Sequence, residues 1–440
     1  MPEVSADLLI RIVESKLLTD RQKKIELLEE AFRKSSEVQQ KARRRLWTGA
    51  VDSRGGYLSA AFDQQLDSLS LKCRVIKAML RLDVERARKL FLEIPRIRLP
   101  QLSCDQTLSY DVTEFYQTMS EIADKSFSST EIQQGERLRF IQTYLETVES
   151  PAQVSPAMSL MLNSTLSGVD LSVLTKSFSS ALGKVTVDPR SFMASTLHGN
   201  LITNAEQLLH RLKNVDLPTS EFVSAFHSYL LNQMKAVQCS DVMNSQSQMK
   251  QLWANLDRLS KWPSQAIEVD NIKPSRVEHI EDGEEFWTTA ESSRLLMKTK
   301  ALRFGDGTEP LPTQARTSND WQQQMELLLG EIDRWDGASE KIPLTYFHEK
   351  SNLYSSLFEL APTNPGRVQV LLSFAGYLRN ADAKDQSHIE WLLHLRGLLK
   401  KMQKLDAPDR LRVLDVFRNS GNQAIQLYAD FDLLSNRPSQ

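Results

Sequence analysis

Glycine is scarce in this chain, and its scarcity excludes more than any motif present supplies. The 440 residues hold 16 glycines and 16 prolines, about half the usual share for glycine and somewhat below it for proline. Phosphate-cradling loops, tight β-turns and doubly wound sheets consume glycine, because they need positive φ or close backbone approach. The low count argues against a nucleotide-binding α/β enzyme and an all-β fold, and it favours helix. Cysteine is also rare: Cys73, Cys104 and Cys239 are odd in number and widely separated. They make no C-x-x-C pair and no disulfide framework, and they read as small buried hydrophobes of a reducing compartment. No apolar run approaches the ~18 residues of a membrane span. The opening residues carry acids inside their first apolar run, so they resemble no secretory signal. Charge of one sign is missing too. A formal net charge of −2 gives no global pull toward nucleic acid, a membrane surface or a polyanion. The expectation is a soluble, cytoplasmic protein with no membrane association.

Catalytic motifs are absent in the same way. No P-loop occurs, since Gly183-Lys184 lacks both the upstream glycine and the following hydroxyl. There is no G-x-S-x-G elbow, no H-E-x-x-H and no EF-hand loop. Histidines gather only at His348, His388 and His394, near Glu349 and Glu390. On one helix His388 and His394 stand roughly 120° apart, so they cannot chelate a metal as an i, i+4 pair does. Glu390 and His394 share a face, the usual arrangement of a hydrogen-bonded helix pair. No cofactor and no metal is expected.

What is present is amphipathic helix. The clearest block is 319–430, where Pro343, Pro365 and Pro408 each open a helix. With starts near Asp320 and Asp385, one helix begins about every 22 residues and a helix pair repeats about every 44. Residues 5–46 read as a helical hairpin, with Thr19 or Asp20 capping the second helix. That helix is expected to run on into Lys41, Arg43, Arg44, Arg45 and Trp47, and 21–45 holds nine basic residues against four acidic. This patch is the one candidate surface for a nucleic acid or acidic partner, with the cations on phosphates and Trp47 stacking on a base. The competing account is a solvated helix end whose cations complement the dipole.

Residues 58–82 read as one long helix and 83–95 as a shorter one, followed by an irregular stretch from Pro95 to Thr107. Residues 151–200, rich in Ser, Thr and Met, read as short helices or a mobile insertion. Four regions result: an all-helical N-terminal region 1–262, a less regular linker or insertion 263–318, a helical-hairpin block 319–434 and a disordered tail 435–440. Within the second, Ala266–Asp270 alternates like a short strand, an acidic run spans Glu278 to Glu285, and only 286–304 reads as helix.

Two resemblances are carried by residues. Segment 83–95, with Ala87, the pair Leu90-Phe91 and a terminal Pro95, resembles the second helix of a tetratricopeptide or pentatricopeptide repeat. A partial echo stands at Leu357, Phe358, Leu360 and Pro362. The helix-pair spacing of 319–430 is similar to that of HEAT and armadillo repeats. The fold class implied is all-α, with antiparallel helix pairs stacked as an irregular α-solenoid or multi-helix array. The function expected is non-enzymatic binding of a protein or peptide partner. An RNA-binding helical-repeat protein is the first alternative. An α-helical enzyme with a site assembled from distant residues is the second.

Overall fold

The computed structural model describes residues 2–15, 18–45, 59–102, 108–197, 199–235, 238–239, 277–278, 290–305, 307–337, 343–381, 388–419 and 426–431. Trp47, residues 245–262 (where the spacing of Leu252, Leu256, Leu259 and Trp262 predicts a helix), the strand pattern at Ala266–Asp270, most of the acidic run and the tail 435–440 lie outside them. Among the described residues the fold is all-α. Two short ladders are the exceptions: β1 (Arg43–Arg45) antiparallel to β2 (Leu108–Tyr110), and β3 (Gln238–Cys239) parallel to β4 (Val277–Glu278). No described helix is long and apolar enough to cross a membrane.

The chain divides into two compact units, one of Thr19–Gly283 and one joining Glu3–Leu18 to Glu284–Gln440. In the first lie α2 (Arg21–Glu37), α3 (Ala60–Asp63), α4 (Ser68–Leu80), α5 (Val84–Leu92), α6 (Thr113–Lys125), α7 (Ser129–Gln133) and α8 (Glu136–Leu145). They are followed by α9 (Pro151–Asn163), α10 (Gly168–Leu182), α11 (Pro189–Leu197), α12 (Leu201–Asn214) and α13 (Ser220–Met234). Side-chain caps account for most of the starts. Asp20, Asp67 and Asp83 each accept a backbone N–H two or three residues into their helix, and Ser128, Ser150 and Ser167 form full capping boxes.

Helix contacts in this unit run in two series. One passes from α2 through α4, α6 and α9 to α12, and the other from α8 through α10 to α13. Cross-contacts of α4 with α5, α5 with α6, α6 with α8 and α9 with α10 close the core between them.

Two sequence expectations are corrected here, and a third, left between short helices and an insertion, is decided for helices. The second helix does not continue to Arg45: it ends at Glu37, with Val38 in extended conformation, because 43–45 finds a strand partner about 65 residues further on. The long helix expected over 58–82 is broken. Gln65 takes φ +56°, and the Asp67 side chain restarts the chain by accepting from Ser70 N at 2.9 Å. Residues 151–200 form α9, α10 and α11, with Val154, Met158, Leu174, Phe178 and Phe192 buried among them.

The other unit contains α1 (Pro2–Glu14), α14 (Ala290–Phe304), α15 (Thr313–Arg316), α16 (Asn319–Arg334), α17 (Pro343–Leu360), α18 (Asn364–Asn380), α19 (His388–Met402) and α20 (Ala407–Arg418). The five helix starts expected in 319–430 are met within three residues. Each helix from α16 to α18 packs on its successor, and α16 with α18, α17 with α19 and α18 with α20 also touch. Helix α14 packs on α16 and α17, so residues 290–304 belong to this bundle and not to a linker. Helix α1, expected in a hairpin with α2, falls in this unit instead. The fully buried Asp7 holds it there, pairing with Arg396 of α19, with Arg11 at 2.9 Å, and accepting from the Tyr428 hydroxyl.

Candidate functional site

Helix α5 positions the site. Its Ala87, Leu90 and Phe91 are buried against α4 and α6. Pro95, lacking an N–H, cannot continue the helix, and the chain runs on without regular secondary structure as far as Leu102. The far end of this segment is pinned. Leu102 N donates to Asp188 Oδ2 at 3.1 Å, and Gln101 Nε2 donates to the Val187 carbonyl at 2.6 Å. Asp188 also accepts from Ser191 N at 3.0 Å and Ser191 Oγ at 2.8 Å. Burial pushes its carboxyl above the usual range while these hydrogen bonds oppose the rise. Asp188 is thereby spent on structure.

The segment from Ile94 to Pro100 borders two clefts. The first, of about 690 Å³, lies between α5 and α8 and is lined by Arg88, Leu92, Arg96, Phe127, Arg139, Phe140, Thr143 and Tyr144 among others. Its walls belong to an aromatic cluster: Phe91 stacks on Phe115 at 5.0 Å, while Phe140 meets Tyr144 at 5.4 Å and Phe127 at 5.5 Å. Leu92, at 57 % exposure, forms an apolar lip. Burial raises the Tyr144 phenol, and the charge of Arg96 works against that shift. Arg88 lies 4.6 Å over the Phe127 ring and is neutralised by Glu131 at 2.8 Å. Arg96 and Arg139 are exposed and make no ion pair among the described residues. Glu93 and Glu136 also line this cleft.

The second cleft, of about 410 Å³, shares Ile94 and Pro95 with the first. Its cations are Lys41, Lys72 and Arg98, and among the described residues no acid lines it. Lys41 and Arg98 are exposed and make no ion pair among the described residues. Lys72 is half-buried, which lowers its pKa.

The expected basic patch is thus divided. Lys41 reaches a cleft. The Arg43 guanidinium sits 4.8 Å over the Tyr110 ring and donates to its hydroxyl at 2.8 Å. Arg44 pairs with Asp111 at 3.0 Å, and Arg45 is half-buried opposite Leu108 in the ladder. Arg96, Arg98 and Arg139 were not singled out by the sequence, although Arg96 and Arg98 follow directly on the helix end at Pro95.

In the other unit, His394 Nε2 and His348 Nδ1 lie 2.9 Å apart, so one ring donates to the other. Burial lowers His348 to about 4 and His394 well below its usual value, the latter also through the nearby His348 charge. Glu390 is buried, its Oε2 makes no hydrogen bond, and burial pushes it up to about 7. The His388 side chain lies outside the described residues. Among the described residues, no group of three or more His, Cys, Asp or Glu side chains is arranged to hold a metal ion.

No protein-family model matches this chain, and no curated protein matches it.

Proposed function

We propose that the chain is a non-enzymatic binding protein, an irregular α-solenoid whose first unit receives a protein or peptide segment in the cleft between α5 and α8. The observation that carries this reading is the cleft itself: an aromatic floor, an apolar lip and two arginines that make no ion pair among the described residues. Aromatic and arginine side chains dominate the energetics of protein interfaces. The two running series of helix contacts support the solenoid reading, since such arrays present extended binding surfaces. Two of the conspicuous cations of 43–45, Arg43 and Arg44, are occupied within the fold, which weakens the RNA alternative.

The test is selection of a random 12-residue peptide library on the intact protein, with binding measured by fluorescence anisotropy. Thr143 is exposed on the cleft wall, so Thr143→Trp fills the cleft without entering the core. Selected peptides are expected to lose at least tenfold in affinity on this variant. Equal affinity for both proteins overturns the reading. Mixed-sequence RNA is expected to show no salt-sensitive binding at 50 and 200 mM salt, the range over which phosphate-driven affinity falls steeply.

A further inference from the structure

Helices α14 and α16 of the second unit each carry an apolar triplet, Leu295-Leu296-Met297 and Leu327-Leu328-Leu329. One residue of each triplet is turned to solvent. Met297 stands two residues from the buried Leu295 and Thr299, and Leu327 two residues from the buried Met325 and Leu329. Two residues are about 200° of helix, so each points away from its own buried stripe, and the two are 65 % and 67 % exposed. The helices run antiparallel. Trp321 Nε1 donates to the Leu302 carbonyl at 2.9 Å, and nine residues before Leu302 and ten after Trp321 the chains meet again, where Glu331 holds Lys298 at 2.6 Å and Arg294 at 2.7 Å. Met297 lies between these two cations in sequence and Leu327 one turn before Glu331, so both border the same ion-pair cluster. The two helices differ in charge. Helix α14 has Arg294, Lys298, Lys300 and Arg303 against Glu291, while α16 has Asp320, Glu326, Glu331 and Asp333 against Arg334. Of these, Lys300, Arg303, Asp320 and Glu326 are exposed and make no ion pair among the described residues.

We infer that this face is an interface between two copies of the chain, related by a two-fold axis along the helices, with α14 of each copy lying on α16 of the other. The inference does not rest on the cleft of the first unit. A two-fold interface must be self-complementary, and this face meets that condition. It places a cationic helix beside an anionic one, so the two-fold sets opposite charges together in both of its contacts, and it sets Met297 of each copy on Leu327 of the other. An axis along the helices keeps every residue at its own level. Lys300 then faces the turn that holds Glu326, and Arg303 the turn that holds Asp320, the kind of charge pairing that fixes register and partner choice between helices. Two helices about 22 Å long and about 10 Å wide offer a footprint on the order of 450 Å² per copy. That is roughly half of the usual 800 Å² a side, which assigns a weak dimer that dissociates on dilution.

The test is sedimentation equilibrium of the full chain from about 2 to about 500 µM, the range a weak interface requires. Wild type is expected to pass from monomer to dimer across it. Met297→Glu and Leu327→Glu are each expected to weaken the dimer at least tenfold, with an unchanged urea midpoint because both side chains are exposed. Two charge-reversed proteins decide the arrangement: Lys300→Glu/Arg303→Glu and Asp320→Lys/Glu326→Lys. Each alone is expected to associate at least tenfold more weakly than wild type, since like charges then meet in both contacts. Mixed, they are expected to form a one-to-one heterodimer within fivefold of wild-type affinity, because every contact is again between opposite charges. A wild-type chain that stays monomeric at the highest concentration overturns the inference. So does a dimer indifferent to Leu327→Glu and to both reversals, which would use another face, and so does a mixed pair that fails to associate. A monomer that instead binds an amphipathic helix selected from a peptide library, and loses it on Leu327→Glu, assigns the face to a different protein and overturns the second-copy assignment.

Discussion

At the scale of single residues, the informative division is between cations that are spent and cations that are not. Arg211 donates to the carbonyls of Met161, Leu162 and Ser164 at 2.6, 2.6 and 3.1 Å. Lys350 donates to the carbonyls of Asp333, at 3.2 Å, and Trp335, and Arg21 to that of Leu82 at 2.6 Å. Each satisfies carbonyls that a helix end leaves orphaned. Arg96 and Arg139, on the wall of the cleft between α5 and α8, have no such task among the described residues, which is why the binding proposal falls on that cleft. Buried bases have a consequence for pH. His348 and His394 have folded pKa values below the ordinary 6.5, so below that pH the unfolded chain binds more protons and stability drops as pH falls. The loss begins near 6.5 and continues to about 4, where His348 protonates in the folded state, at up to about 1.4 kcal/mol per pH unit for each ring. Glu390, pushed up to about 7, opposes it, since its neutral form is favoured in the fold as pH falls from 7 toward the carboxylate range. Subtracting a variant isolates the histidines. In urea titrations at pH 7 and 4.5, the His348→Leu/His394→Leu protein is expected to lose less stability than wild type. An equal loss in both proteins contradicts the assignment.

At the scale of elements, the ends of helices carry the testable energetics. Helix α9 ends at Asn163 with three of its last carbonyls and near neighbours held by one guanidinium from α12, which also packs along it. Arg211→Met keeps much of the apolar stem and removes the donors, and it is expected to cost about 2–3 kcal/mol, read as a shift in the urea midpoint at unchanged slope. A cost under about 0.5 kcal/mol would assign the work to packing alone. Element ends are also where sequence reading succeeded and failed. The helices of 319–430 were legible because proline and Ser, Thr or Asp caps mark starts within a few residues of the apolar stripe they introduce, and Ser318, Thr363 and Asp406 do cap. The Arg43–Arg45 strand was not legible, because its partner, and the Tyr110 and Asp111 side chains that occupy its cations, lie about 65 residues away. The first cleft was half legible. Leu90, Phe91 and Pro95 stood out as a repeat-like helix end, but the facing wall, Arg139, Phe140 and Tyr144, comes from a helix with an unremarkable pattern, and only packing brings the two together.

At the scale of the whole molecule, the division into two units joins the two ends of the chain in one of them. Asp7 and Tyr428 are hydrogen-bonded across 421 residues of sequence, and Arg396 closes the triad with the same carboxylate. A carboxylate with no exposed surface, held by a guanidinium and a phenol, is costly to disturb. Removing its charge leaves Arg396 without its counter-ion in a largely buried site, a class of change that costs about 3–5 kcal/mol. Sequence order would place that loss beside α2 in the N-terminal region, whereas the unit boundaries place it in the bundle of α14 and α16–α20. Hydrogen exchange of the Asp7→Asn protein distinguishes the two. Amides of α17, α18 and α19 are expected to open more readily by a factor corresponding to that energy. Those of α4, α6 and α9, in the other unit, are expected to exchange as in wild type. An equal loss of protection in α4, α6 and α9 would mean that the two units unfold as one cooperative block. Unchanged protection in α17–α19 would mean that α1 is an ornament on the bundle and not part of its core.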